Sequence, residues 1–235
     1  MRKKLFTLFG LGGLAAAVIF LRPRFLMRWI ERSTSTQALY SINTERKVIA
    51  LTIDDGPHAD ITPKILDVLA VYNIPATFFI IGERVHGNET LVRDIVSAGH
   101  ELGNHLMVDT PSIQLSIDEF ERQLLLTDEI LQPYAPIQWM RPASGWYNKA
   151  ILEIVRRHGY QMAIASVYPY DAQISNVPFI VNYVVANAFP GAIIDLHEGT
   201  DDRWYTVDAL EQIIPALQAE GYEFVTLSAL AQMDD

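Results

Sequence analysis

The sequence predicts an α/β fold: a closed or nearly closed barrel of about seven parallel strands, preceded by an N-terminal helix that crosses a membrane. Three observations carry this. From Lys47 onward, apolar runs of strand length alternate with amphipathic stretches of helix length, the rhythm of βα units around a parallel sheet. The 235 residues are 50% hydrophobic and 20% charged, enough for one well-buried domain and short for two. Residues 5–21 carry no charge and lie between Lys4 and Arg22.

The N-terminal run, LFTLFGLGGLAAAVIFL, would span roughly 25 Å as a helix, just enough for a hydrocarbon core of about 30 Å. Flanking Lys4 and Arg22 can extend their charged tips to the interfaces. The small residues Ala15–Ala17 also resemble a signal-peptide cleavage site, which would release a secreted domain. VIFL continues the apolar run past that point, so an uncleaved single-pass anchor is the expectation, with residues 22–45 as a juxtamembrane stalk and 46–235 as the folded domain. Basic residues flank both sides of the run and leave its orientation open. Residues 1–45 carry seven Lys or Arg and two Glu, a net +5, which leaves the rest of the −10 chain at −15. So acidic a body repels nucleic acid, and no basic stripe offsets it. With no cysteine, the chain has no thiolate metal site and no cysteine nucleophile, so any metal ligand is histidine or carboxylate.

The strand candidates in order are KVIALTI (47–53), ATFFII (76–81), HELGN (100–104), IQWMR (137–141), YQMAIA (160–165), AIIDLH (192–197) and EFVTLS (223–228). Helical stretches fill the gaps, among them 62–71, 91–98, 117–131 and 207–220. Gly99, Gly159 and Gly221 stand where a left-handed stop would precede the next strand.

Polar residues collect at the strand ends. Asp54 and Asp55 end the first strand, His105 and Asp109 follow the third, and Arg141 ends the fourth. Asp171 follows the fifth, and His197 ends the sixth. In a barrel of this kind the C-terminal ends share one rim, where active sites form. Adjacent carboxylates on a strand end point in different directions, so one can bind a metal while the other stays free as a base. DDGP reads equally well as turn chemistry, a lone His105 as a satisfied structural histidine, and a lone Asp109 as a loop carboxylate before Pro111. Taken together, Asp55, His105 and Asp109 make a one-histidine, two-carboxylate facial site with positions open for water and substrate.

TIDDGP, GHELGNH, RPASGWYN and IIDLHEG occur in the order and spacing of the polysaccharide deacetylases, the NodB-homology enzymes of carbohydrate esterase family four. The resemblance runs from about Arg46 to Leu230. It implies a distorted (β/α) barrel, TIM-barrel-like, of seven or eight units, and metal-dependent removal of acetyl groups from N-acetylated sugars of a chitin- or peptidoglycan-like glycan. By the same resemblance Asp54 is the base, and Asp55 and His105 are metal ligands. Arg141 orients the base, Asp171 holds that arginine, and His197 is the general acid. Leu196 forms the apolar wall against the acetyl methyl, and a backbone N–H near Ser144 faces the oxyanion.

The sequence departs from the family pattern in two places. Relatives usually carry a second histidine four residues after the first, where this chain has Asp109; two carboxylates and one imidazole bring a divalent site near neutrality and favour harder metals such as manganese, cobalt or iron relative to zinc. After VYPYD there is no tryptophan, so Trp146, Tyr147, Trp204 or Tyr170 is expected to supply the sugar platform. His58, His86, His100 and His158 match no ligand position. The expectation is therefore a monomeric, membrane-anchored N-deacetylase whose catalytic domain lies outside the cytoplasm. An O-acetyl-glycan esterase and an inactive glycan-binding relative are the alternatives.

Overall fold

The computed structural model describes residues 38–200 and 203–234. The expected anchor at 5–21 and most of the stalk lie outside the described residues. Within them, no helix is long and apolar enough to cross a membrane.

Strands β1 (Val48–Gly56), β2 (Thr77–Ile80), β3 (Glu101–Asn104), β4 (Trp139–Met140), β5 (Gln161–Met162), β6 (Ile193–His197) and β7 (Glu223–Val225) form one parallel sheet. Its order is β5-β4-β3-β2-β1-β6, with β7 paired to the start of β1. The ladder makes a half-barrel, and single bridges span its open side. Val167, beyond β5, bridges Ile194 of β6, while Leu39 bridges Ala163 and Ser41 bridges Ala192. Residues 39–42, expected as the end of the stalk, therefore pack on the domain, and Ile42 is buried.

Helices α1 (Ile61–Tyr72), α2 (Glu89–Ser97), α3 (Ile117–Leu131), α4 (Lys149–Arg157), α5 (Val177–Asn187), α6 (Trp204–Ala219) and α7 (Leu227–Ala231) connect the strands. Local chemistry starts several of them. Ser116 accepts from the Glu119 N–H in a Ser-x-x-Glu box at α3, and Asn148 and Asn176 cap α4 and α5 in the same way. Thr226 caps α7, so the apolar run expected as a strand through Ser228 turns helical after Val225. Helix α6 tolerates Pro215 because the Glu211 carbonyl, which a residue there would normally bond, accepts from the Tyr72 hydroxyl at 3.1 Å.

The two faces of β1 set up everything that follows. Ile49, Leu51 and Ile53 belong to the core shared with Ile65 and Leu69 of α1 and Leu210, Ile213 and Ile214 of α6. Val48 and Ala50 belong to the inner core, with Phe79, Trp139, Ala163 and Ile193. Burying each large aliphatic side chain contributes about 1.5–3 kcal/mol, so register is strongly specified. Period-two alternation then places Thr52 and Asp54 on the inner face of β1. On β6 it separates inward Ile193, Asp195 and His197 from outward Ile194 and Leu196.

Candidate active site

The rim begins with a break in the β1–β2 register between Asp54 and Gly56. Asp55 sits there at φ 69°, a left-handed conformation that costs a non-glycine residue of the order of 1–3 kcal/mol. The irregularity lets neighbouring Asp54 and Asp55 both serve one site. Gly199 makes the crowding possible: at φ +80, a Cβ there would lie 2.5 Å from the Cβ of Asp55.

His105 follows β3 and is turned by its neighbours. Asn104 Oδ1 accepts from the Leu106 N–H at 2.9 Å, while its amide donates to the Leu124 carbonyl at 3.0 Å. The Nδ1–H of His105 donates to the Arg141 carbonyl at 2.9 Å, which leaves Nε2 aimed at Asp55 Oδ1 (3.4 Å) and Asp54 Oδ2 (3.7 Å). Burial works against charge on this imidazole, yet the Asp54 and Asp55 carboxylates outweigh it and raise its pKa. Burial likewise opposes ionisation of Asp55, but the His105 hydrogen bond and the positive charges of His197, His105 and Arg84 hold its carboxyl well below the usual range. A nitrogen fixed by a carbonyl on one side and facing carboxylates on the other suits a divalent cation. Asp55 and His105 fit that role. Asp109 is exposed in the loop beyond, and the cluster of three potential ligating atoms among the described residues does not include it.

That cluster is Asp54, Asp195 and His197, whose atoms lie within 4.8 Å of one another. Arg141 Nη1 donates to Asp54 Oδ1 at 2.7 Å, Asp195 Oδ1 at 2.9 Å and Thr52 Oγ1 at 2.8 Å, with the guanidinium 4.2 Å above the Phe79 ring. Asp171 does not hold this arginine, contrary to the sequence expectation. Its carboxylate accepts from the His197 backbone N–H at 2.7 Å and from His197 Nδ1 at 3.1 Å. Burial disfavours the imidazolium of His197, but Asp171 first, then Asp195 and Asp55, raise its pKa well above the ordinary histidine value.

Leu196 is a second correction. It is fully buried in the core against the helices, on the far face of β6 from His197, and cannot line the rim. The residue sharing the histidine's face is Asp195. Sequence reasoning missed it, although a carboxylate inside an apolar strand two residues before a histidine was a usable signal. It also missed Glu198, which is buried and accepts from the Thr62 hydroxyl at 2.5 Å. Burial, with Asp55 adding to it against the Thr62 hydrogen bond, pushes that carboxyl up to about 8. Arg84, whose guanidinium donates to the Asp55 carbonyl, carried no sequence signal.

Aromatic side chains flank the rim. Ser144 adopts φ 65° in the turn after Arg141, followed by Trp146 at 68% exposure and by Tyr147, whose hydroxyl pairs with that of Tyr40. On the other side a row of rings runs from His197 through Tyr168 (5.5 Å) and Tyr170 (5.1 Å further) to Tyr183 and the exposed Phe179.

Comparison with known proteins follows the same lines. The family described as polysaccharide deacetylase matches residues 41–163. A peptidoglycan-N-acetylglucosamine deacetylase of Bacillus cereus is 39% identical over 81% of this chain and 91% of its own. A chitooligosaccharide deacetylase of Sinorhizobium fredii is 35% identical over 74% of this chain and 87% of its own. A crystal structure of a peptidoglycan N-acetylglucosamine deacetylase superposes with a TM-score of 0.81 at 33% identity, covering 85% of this chain and 95% of that one. The chain belongs to the polysaccharide deacetylases, the NodB-homology hydrolases of carbohydrate esterase family four that act on carbon–nitrogen bonds.

Proposed function

We propose that this chain removes acetyl groups from N-acetylglucosamine units of a cell-wall or chitin-like glycan outside the cytoplasm, with the help of a divalent metal. One observation carries the reading: a carboxylate tied to a buried arginine (Asp54–Arg141) and an imidazolium tied to a buried carboxylate (His197–Asp171) meet on one rim, beside an imidazole nitrogen aimed at Asp55. A base and an acid held apart by separate partners are what amide hydrolysis needs.

Asp55 and His105 would hold the cation, a reading supported by the contact between their side chains, with Asp109 proposed as a third donor if its loop turns inward from the exposed position described above. When bound, such a cation supplies Lewis acidity to the acetamide carbonyl and makes attacking water more acidic. Asp54, fixed through Oδ1 by Arg141, accepts the water proton on its other oxygen. The C–N bond then breaks as His197 gives its proton to the departing amine, and acetate and the free amino sugar leave. An amine expelled without that proton would be a very poor leaving group. A backbone N–H near Ser144 is proposed to face the oxyanion. Trp146 and the tyrosines beside His197 offer flat apolar faces for sugar rings. Residues 5–21 are proposed to tether a monomeric domain to the membrane.

Acetate release tests this. The full chain, loaded with zinc, manganese, cobalt or iron in turn, is incubated with N-acetylglucosamine oligomers and with O-acetylated xylan, and metal content is measured on the same samples. Metal-dependent release from the N-acetylated oligomers is expected. Release from the O-acetylated polymer alone would overturn the assignment to amides.

A further inference from the structure

Asp195 belongs to both arms of the site. Its side chain is 9% exposed and shares the inner face of β6 with His197, opposite Thr52 of β1. Its Oδ1 contacts the same Arg141 nitrogen, Nη1, that contacts Asp54. That nitrogen has two hydrogens and three acceptors, Asp54, Asp195 and Thr52, while buried Nη2 has no partner among the described residues. The guanidinium is therefore not forked onto Asp54. A bidentate Arg–carboxylate pair would engage both oxygens of the base and is the stronger geometry when nothing competes. Asp195 and Thr52 share Nη1 with the base. Oδ2 of Asp54 lies outside the arginine's grip, on the side facing His105. On its other flank Asp195 stands within 4.8 Å of a ring nitrogen of His197.

We propose that Asp195 is a positioning residue that links the two arms, holding Arg141 to a single-nitrogen contact with the base while its carboxylate supports the charged form of the acid. The roles of Asp54 and His197 rest on the deacetylase reading; the contacts of Asp195 do not. The groups acting on His197 are Asp171, Asp195 and Asp55, with Tyr168 against its ring; those acting on Asp195 are Arg141, Asp54, His197 and Asp171. Burial, then Asp54 and Asp171, against Arg141 and His197, push the Asp195 carboxyl above the usual carboxylate range.

The experiment compares full-length wild type with Asp195→Asn, which keeps the shape and an acceptor for Arg141 but removes the charge. NMR titration of the His197 ring should show its midpoint moved to lower pH. The alkaline limb of kcat/KM for an N-acetylglucosamine oligomer should move the same way, with kcat down about tenfold or more and KM within about twofold. Metal content should not change. A residue serving only packing would lower the melting temperature and leave the His197 midpoint where it was; that result overturns the proposal. If the variant does not fold, wild type still answers: the His197 ring signal must show an inflection where the Asp195 carboxyl titrates, and a ring that does not sense that transition refutes the link. A wild type that titrates as expected yet releases no acetate would sink the deacetylase reading and leave the Asp195 contacts standing.

Discussion

The imidazole of His197 and the carboxylate of Asp171 are joined twice, through Nδ1 at 3.1 Å and through the histidine's own backbone N–H at 2.7 Å. The second bond fixes the carboxylate to the strand that carries the histidine, so ring and counter-charge cannot drift apart. Tyr205 adds a further clasp by donating to the Asp171 carbonyl at 2.8 Å.

Removing that counter-charge has a definite sign. The His197 pKa is raised against burial, chiefly by Asp171, so its proton is held to higher pH than an ordinary histidine's and is lost as pH climbs through the raised value. In Asp171→Asn the proton leaves at lower pH, and the alkaline limb of the pH–rate profile must move down. Rate profiles of both enzymes on one N-acetylated oligomer check this, and a limb that stays put would detach Asp171 from the acid.

His197→Ala should separate amides from esters. Expelling an amine needs a proton, whereas a phenolate leaves without one, so amide hydrolysis should fall about 10²–10⁴-fold while an aryl acetate loses far less. Parallel assays on the two substrates read the difference. Equal losses would mean that His197 only holds the rim together.

Packing beneath the site should matter as well. A Cβ on Gly103 would lie 2.5 Å from the Phe79 ring, and that ring supports the Arg141 guanidinium. Gly103→Ala should therefore cost about 1–3 kcal/mol of stability through overpacking and reduce turnover by displacing Arg141. A thermal melt and a rate measurement on the same preparation suffice; full activity would show that the ring yields elsewhere.

The proposed metal ligands can be ranked by binding. His105→Ala should abolish tight metal binding, because its Nε2, with Nδ1 held by the Arg141 carbonyl, faces the Asp55 carboxylate. Asp109→Ala should weaken affinity while leaving part of the activity recoverable with excess metal. An Asp109→Ala enzyme with full metal content would remove that residue from the ligand set and leave it a loop carboxylate.

What the sequence disclosed about this site follows from geometry. Asp54, His105, Arg141 and His197 were legible because each closes or follows an apolar run, and strand ends of one parallel sheet share a rim. The partner of Arg141 was not: Asp195 stands two residues before His197 and Asp171 lies 26 residues before it, and spacing alone cannot tell which reaches the guanidinium. The outward direction of Leu196 was legible in principle, since period two puts it opposite His197, but the family pattern drew attention to the apolar residue instead. Strand β5 proved shorter than its apolar run because bridges to Leu39 and Ile194 take over beyond Met162, pairings between distant segments that no local pattern encodes.

Asp54 is proposed to act as the base beside, and not within, the metal's ligands. Its most direct test is Asp54→Asn in the full chain, measured for bound metal and for acetate released from N-acetylglucosamine oligomers. Metal content close to wild type is expected, with turnover down by about 10²–10⁴-fold, the usual contribution of a positioned base. Loss of metal in step with turnover would make Asp54 a ligand, and turnover near wild type would remove it from the chemistry altogether.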